Sequence, residues 1–168
     1  NEVSVIISVS NDSIYFPTCF ESVLNQNFQD LEIILVNNAE NNIDKLIGQY
    51  CEKFNDVLVV NDLESAINEA DGKYISFIDS NDYLNEGMIE KLANASEKND
   101  LDITMCQLTS HDDLTNEFDE DLHDLSLDIL KGLEKDVFNR DDIIDVITRI
   151  YSKPFNKLFK SSFLKDNE

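Results

Sequence analysis

Five short apolar runs punctuate the chain: Val3–Val9 (VSVIISV), Leu31–Val36 (LEIILV), Val57–Val60 (VLVV), Tyr74–Ile78 (YISFI) and Ile103–Leu108 (ITMCQL). They are rich in β-branched residues and lack strict alternation, which predicts strands buried on both faces. The segments between them carry apolar residues at helical spacing: Phe16, Phe20, Val23 and Leu24; Ile43, Leu46, Ile47 and Tyr50; Ala66 to Ala70; and Met88, Ile89 and Leu92 before Ala95. Strand and helix alternate, so the chain is expected to be α/β, with a mostly parallel sheet flanked by helices on both faces.

In such sheets ligands bind beyond the carboxyl ends of the strands, near the point where strand order reverses. The residues leaving each strand are therefore the informative ones. They are Ser10-Asn11-Asp12, Asn37-Asn38-Ala39-Glu40, Asn61-Asp62 and Asp79-Ser80-Asn81-Asp82, all polar and rich in Asn or Asp.

Past Leu108 the pattern changes. Residues 111–128 (HDDLTNEFDEDLHDLSLD) hold eight acidic residues and few large apolar ones, and read as a solvated loop. His111 and His123 lie in this stretch without ligand spacing, and it lacks the glycine turn of a calcium loop, so no second cation site is assigned there. From Arg140, RDDIIDVITRIY has helical spacing, with Asp141 and Asp142 suited to the first turn by the helix dipole. SKPFNKLFKSSFL then interleaves Lys153, Lys157, Lys160 and Lys165 with Phe155, Phe159 and Phe163. This basic stretch suits either an amphipathic return to the core or a place near a phosphate or an acceptor.

Charge narrows the function. The 168 residues carry 35 Asp plus Glu against 13 Lys plus Arg, a net charge of -22, so the surface field repels nucleic acid and anionic membrane. An anionic ligand then needs a divalent cation or local backbone N–H groups to reverse the field. Cys19, Cys51 and Cys106 form an odd set without C-x-x-C spacing, which reads as buried free thiols in a reducing compartment. No apolar run approaches the roughly 18 residues of a membrane span, and no signal peptide is visible. A cytoplasmic protein is expected, peripheral at most to the inner face of the membrane. A start at Asn1 rather than Met is read as the mark of a domain cut from something longer.

The turn Asp79-Ser80-Asn81-Asp82 carries the most specific chemistry. Mg²⁺ and Mn²⁺ prefer oxygen ligands and are commonly shared between one or two carboxylates and substrate phosphates. The competing reading is that Asp79 or Asp82 merely caps a helix beginning near Leu84.

The blocks VSVIISVSN, FESVLNQNFQDLEIILVNN, DGKYISFIDSNDYL and PFNKLFKSSFL, in this order and spacing, resemble a family-2 glycosyltransferase. That family shows patterns close to VSVIIPVYN, SVLNQTFxDxEIIIVDDGS, GxYIxFLDSDDxL and a late NKLF block. The resemblance spans nearly all of residues 3–164 and is weakest over 110–150. It implies the Rossmann-like GT-A fold, with residues 1–108 as the nucleotide-sugar-binding core and 109–168 as an acidic excursion and an acceptor-side segment of the same domain. It also implies a nucleoside diphosphate sugar donor, UDP-sugar by default, a divalent metal on an Asp-x-Asp element, and transfer to a glycan or cell-envelope acceptor with inversion.

Residue by residue, the resemblance assigns Val9, Ser10, Asn11, Asn37, Asn38 and Ser80 to the donor, and Asp79, Asn81 and Asp82 to the metal. Several of these depart from the family pattern. Ser10 stands where an aromatic residue commonly stacks on the base, and Asn37 and Asn38 stand where an acidic pair holds base and ribose. Ile67 takes the place of an arginine that helps hold the diphosphate, and Asn81 that of the second metal aspartate. The family's catalytic base generally follows the NKLF-like block, and none is nominated here. Three readings follow: an active glycosyltransferase or its donor-binding part, a GT-A pseudo-enzyme serving as a binding or assembly module of a larger protein, and an unrelated acidic α/β binding protein.

Overall fold

The computed structural model describes residues 1–10, 14–37, 44–54, 57–112, 115, 117–119, 136–144 and 153–167. Candidate residues Asn11 and Asn38 lie outside these, as do Ile43, His123 and most of the acidic stretch. In chain order the elements are β1 (Val3–Ser8), α1 (Phe16–Leu24), β2 (Leu31–Val36), α2 (Asp44–Lys53), β3 (Val57–Val60), α3 (Leu63–Glu69) and β4 (Tyr74–Asp79). They continue with α4 (Met88–Asn99), β5 (Ile103–Met105), β6 (Ser110–Asp112), β7 (Glu117–Asp119), α5 (Arg140–Ile143), β8 (Lys157–Lys160) and α6 (Ser161–Asp166).

Six strands form one sheet in the order β3-β2-β1-β4-β8-β5. The first four run parallel, and the register sets Ser8 of β1 opposite Val36 on one side and Asp79 on the other. The chain steps outward from β1 to β2 to β3, then crosses back to lay β4 on the free side of β1. Strand order thus reverses between β1 and β4, which opens a crevice at their carboxyl ends.

Successive strand side chains point to opposite faces, and here both faces are covered. On one, Val3, Val5, Ile7, Ile33 and Leu35 pack with Phe16, Phe20 and Val23 of α1 and Ile89 and Leu92 of α4. On the other, Ile6, Ile34, Ile75 and Phe77 meet Ala66 and Ala70, with Phe159 and Leu164 at the margin. Each fully buried Val, Ile or Phe contributes about 1.5–3 kcal/mol of transfer free energy, so this two-sided burial dominates the stability of the sheet.

At the amino ends of the strands a polar knot replaces apolar packing. The Glu32 carboxylate accepts from Ser4 Oγ, from Asp71 N at 2.7 Å and from Gly72 N at 3.1 Å, while Gly72 N also donates to Ser4 Oγ at 2.9 Å. Gly72 lies so close to β1 that a Cβ there would sit 2.5 Å from Ser4 N and 2.9 Å from Tyr74 O. Only glycine fits between the two strands.

Several expectations need correction. β3 lies at the sheet edge, with Leu58 and Val59 exposed, because only β2 pairs with it. β5 stops at Met105 rather than Leu108, and Ile103 is exposed, since this strand too has a partner on one side only, β8. The basic stretch, read as an amphipathic return or a place near a phosphate or acceptor, does return to the core, as strand β8 antiparallel to both β4 and β5 with Leu158 buried. Acidic residues 110–112 and 117–119 pair as a two-stranded ribbon rather than forming a plain loop. Of the cysteines only Cys19 is buried, while Cys51 and Cys106 are half-buried. Asp141 and Asp142 do open a helix, with Asn139 as its cap in a reciprocal box; beyond residue 144 the expected helix leaves the described residues. Among the described residues no helix is long and apolar enough to cross a membrane.

Candidate functional site

The parallel register brings the exits of β1, β2 and β4 to one rim. Val9 N donates to Val36 O at 2.9 Å, Asn37 N to Val60 O at 2.9 Å and Ser80 N to Ser8 O at 3.0 Å, so each strand's ladder continues into its exit residue. Val9 is buried against the α1 side of the sheet. Ser80 is fully buried, and its Oγ accepts from Ser10 N at 2.9 Å, bolting the β1 exit to the β4 exit. Asn81 reaches the same point, with Nδ2 3.3 Å from Ser10 Oγ. On the far side Asn37 donates through Nδ2 to Asp44 Oδ1 at 2.7 Å, which ties the β2 exit to the first turn of α2.

Asp79 and Asn81 form a closed turn. Asp79 Oδ1 accepts from the backbone N of Asn81 at 2.9 Å and from its Nδ2, also at 2.9 Å, while Asp82 N donates to Asp79 O at 2.9 Å. Short Asx side chains commonly fold onto backbone two residues on in this way. Asp82 is exposed as a residue, yet partial desolvation of its carboxyl, and then the charge of Asp79, push its pKa up, against the pull of the Lys153 ammonium. Asp79 and Asp82 thus stand at one turn, and the charge of the first acts on the second.

Helix capping is not the purpose of these acids. α4 starts at Met88, four residues beyond Leu84, and its N-cap is Gly87 in the left-handed region with no side-chain cap of its own. Leu84 is instead buried in the core. The cap comes from the turn that follows α1, where Gln26, buried to 7 % exposure, accepts from Ile89 N at 3.1 Å through Oε1 and donates to Asn85 O at 3.0 Å through Nε2. Ser22 Oγ accepts from Leu84 N at 3.0 Å, and Cys19 Sγ lies 3.5 Å from Asp79 O. Cys19 and Ser22 of α1, with Gln26 just past its end, therefore form a polar seam that holds the chain from Asp79 to Ile89. Burial first, then Asp82 and Asp79, raise the Cys19 thiol pKa to about 12, so it stays a neutral packing group. The sequence alone does not single out this seam as a support; its one signal is Cys19 and Ser22 at i and i+3 on α1, with Gln26 just after the helix end.

The donor chemistry of the turn fits a divalent cation. Asp79 and Asp82 supply two hard oxygen donors, and Mg²⁺ or Mn²⁺ habitually completes its shell with water and phosphate oxygens. Among the described residues no group of three His, Cys, Asp or Glu side chains comes together. A metal here depends on the ligand it brings.

The comparisons bear on this arrangement. The family model described as glycosyl transferase family 2 matches residues 4–163. A poly(ribitol-phosphate) beta-glucosyltransferase of Bacillus spizizenii is 28% identical over 185 residues, covering 99% of this chain and 26% of that protein. S. aureus TarS 1-349 in complex with UDP-GlcNAc superposes with a TM-score of 0.66 at 18% identity, covering 99% of this chain and 47% of that one. The mannosyltransferase PcManGT from Pyrobaculum calidifontis, in complex with GDP-Man and Mn²⁺, does so with a TM-score of 0.62 at 15% identity, covering 98% and 46%. Among the curated relatives it matches first, the chain spans 33% of one and 26% of another. A switch-point crevice with an acidic turn at the end of β4, on a GT-A sheet matched almost from end to end, places this chain in glycosyl transferase family 2.

Proposed function

We propose that the chain is the donor-binding part of a metal-assisted, inverting glycosyltransferase that moves a sugar from a nucleoside diphosphate, UDP by default, to a cell-envelope glycan acceptor. The observation that carries this reading is the meeting of Ser10, Ser80 and the Asp79–Asn81 turn at the crevice between β1 and β4. In this reading Ser10, Asn37 and the neighbouring Val9, Asn11 and Asn38 receive the nucleoside, and the amides offer hydrogen bonds to base and ribose without adding negative charge. Ser80 fixes the rim from beneath. Asp79 and Asp82, with Asn81 beside them, hold the metal, which neutralises the diphosphate as its bond to the sugar breaks. The poly(ribitol-phosphate) in the name of the B. spizizenii relative supports a phosphate-linked polymer as acceptor.

A second reading is favoured by two particular observations. Asn81 closes the turn onto Asp79 through its own amide, and Ile67, at the arginine position, is packed against the core on the α3 side of the sheet. Both are what a pseudo-enzyme that kept its fold and lost its charges would show. Calorimetric titration of the chain with UDP and GDP, with and without Mn²⁺, separates the two readings. Metal-dependent binding of either nucleotide is the expected result. A folded chain that binds neither nucleotide, alone or within its natural longer protein, refutes the donor-site reading and leaves the assembly module.

A further inference from the structure

At the donor site just proposed, the arginine position is held by Ile67, half-buried against the core on the α3 side, and the acidic turn is itself negative. The opposite wall of the rim supplies a candidate. β8 runs antiparallel to β4 with Leu158 opposite Ser76, so the chain entering β8 passes the carboxyl end of β4, where Asp79 lies. This entry, Lys153 to Asn156, is built around a buried ammonium. Lys157 is 7 % exposed, and its Nζ donates to Lys153 O at 2.6 Å and to Asn156 Oδ1 at 2.8 Å. Asn156, 1 % exposed, donates in turn to Cys106 O at 2.8 Å, while Cys106 N donates back to Asn156 O at 3.0 Å.

Lysine is among the residues least often buried, since desolvating an ammonium is costly unless its donors are matched. Here one of those bonds fixes the backbone of Lys153 and the other the side chain of Asn156. The Lys153 side chain is itself exposed, and carrying the antiparallel register on from Ser76–Leu158 brings the residues that lead into β8 to the exit of β4. A rigid backbone with a solvated cationic tip beside an acidic turn is an arrangement suited to an anion that arrives with its own metal.

We propose that Lys153 is a diphosphate-contacting residue of the donor site, its backbone fixed by the buried Lys157 ammonium and its own ammonium meeting the leaving phosphate in place of the arginine that Ile67 replaces. This rests on the donor-site reading above. The test uses the full chain with Mn²⁺ and UDP, comparing the unmodified protein with Lys153→Gln and Lys153→Arg by calorimetry and by melting temperature without nucleotide. Loss of one charge-assisted contact weakens UDP binding roughly tenfold or more in Lys153→Gln. Lys153→Arg restores most of it, and the nucleotide-free melting temperature of both variants stays at that of the unmodified chain. UDP affinity unchanged in Lys153→Gln overturns the role of Lys153 while leaving the donor site standing. So does a loss that arginine fails to rescue and that tracks a lowered melting temperature, since that is a structural effect. An unmodified chain that binds neither UDP nor GDP overturns the donor site and Lys153 together.

Discussion

Replacing Gln26 by Leu tests whether its side chain really holds the acidic segment in place. The substitution keeps the approximate bulk of the side chain and removes three hydrogen bonds: to Ile89 N at 3.1 Å, to Asn85 O at 3.0 Å and to Ser22 O at 3.1 Å. Ile89 is fully buried, so its N–H, in the first turn of α4, has no route to water once Oε1 is gone. A buried backbone group left without a partner costs about 1–3 kcal/mol, and the partly buried Asn85 carbonyl adds a further contribution of similar kind. The expected loss is about 2–4 kcal/mol, slightly offset by the greater apolarity of Leu. With a urea m-value of about 2 kcal/mol/M, the unfolding midpoint should fall by about 1–2 M at unchanged m. Hydrogen exchange gives the local readout, since the Ile89 amide should lose protection by more than amides in the middle of α4. A midpoint shift below about 0.3 M, or unchanged protection at Ile89, would refute the claim that Gln26 caps α4.

Two shorter predictions test other parts of the same frame. Gly72→Ala drives a methyl to within 2.5 Å of Ser4 N, backbone that cannot swing aside, so urea unfolding should show a loss of about 2–4 kcal/mol, and a loss under about 0.5 kcal/mol contradicts the close approach. The Cys19 thiol, with its pKa raised to about 12, should resist a thiol-specific disulfide reagent at pH 8 in the folded chain and react at once in denaturant; rapid reaction at Cys19 in the native state, mapped by mass spectrometry, would count against its burial.

How much of this was legible in the sequence differs from element to element. β1, β2 and β4 were visible because both of their faces are buried, so every position is constrained and the run reads as continuous apolar residues. β8 was hidden by its lysines. KLFK reads as amphipathic, yet Lys157 is buried because its ammonium is satisfied by carbonyl and amide oxygens of its own loop, a match invisible without coordinates. The start of α4 was placed too early for a related reason. Leu84 reads as the first apolar residue of a helix, but it plugs the core from a loop whose N–H is held by Ser22. The acidic turn was placed correctly at the end of β4, since strand exits in a parallel sheet are fixed by topology. What the spacing did not reveal was that Asn81 and Asp79 bond to each other, because a D-x-N pattern is equally compatible with two parallel ligands and with a closed turn.

In the closed turn the Asn81 amide occupies the place of a second carboxylate. An Asp-x-Asp element sets two carboxylates together, and something positive must lie between them. In this chain the amide of Asn81 performs the tie itself, 2.9 Å from Asp79 Oδ1, with no added charge in a protein already at -22. Asn81→Asp should therefore act in opposite directions with and without metal. Two carboxylates about 3–4 Å apart repel by about 1 kcal/mol when well solvated, so the metal-free variant should melt about 2–4 °C lower. Mn²⁺ converts that repulsion into two attractions, so the variant should gain more from Mn²⁺ than the unmodified chain does, both in melting temperature and in UDP affinity. If the variant melts at the same temperature without metal and gains no more from Mn²⁺, the amide is not standing in for a cation, and the acidic turn is a structural bend rather than a metal site.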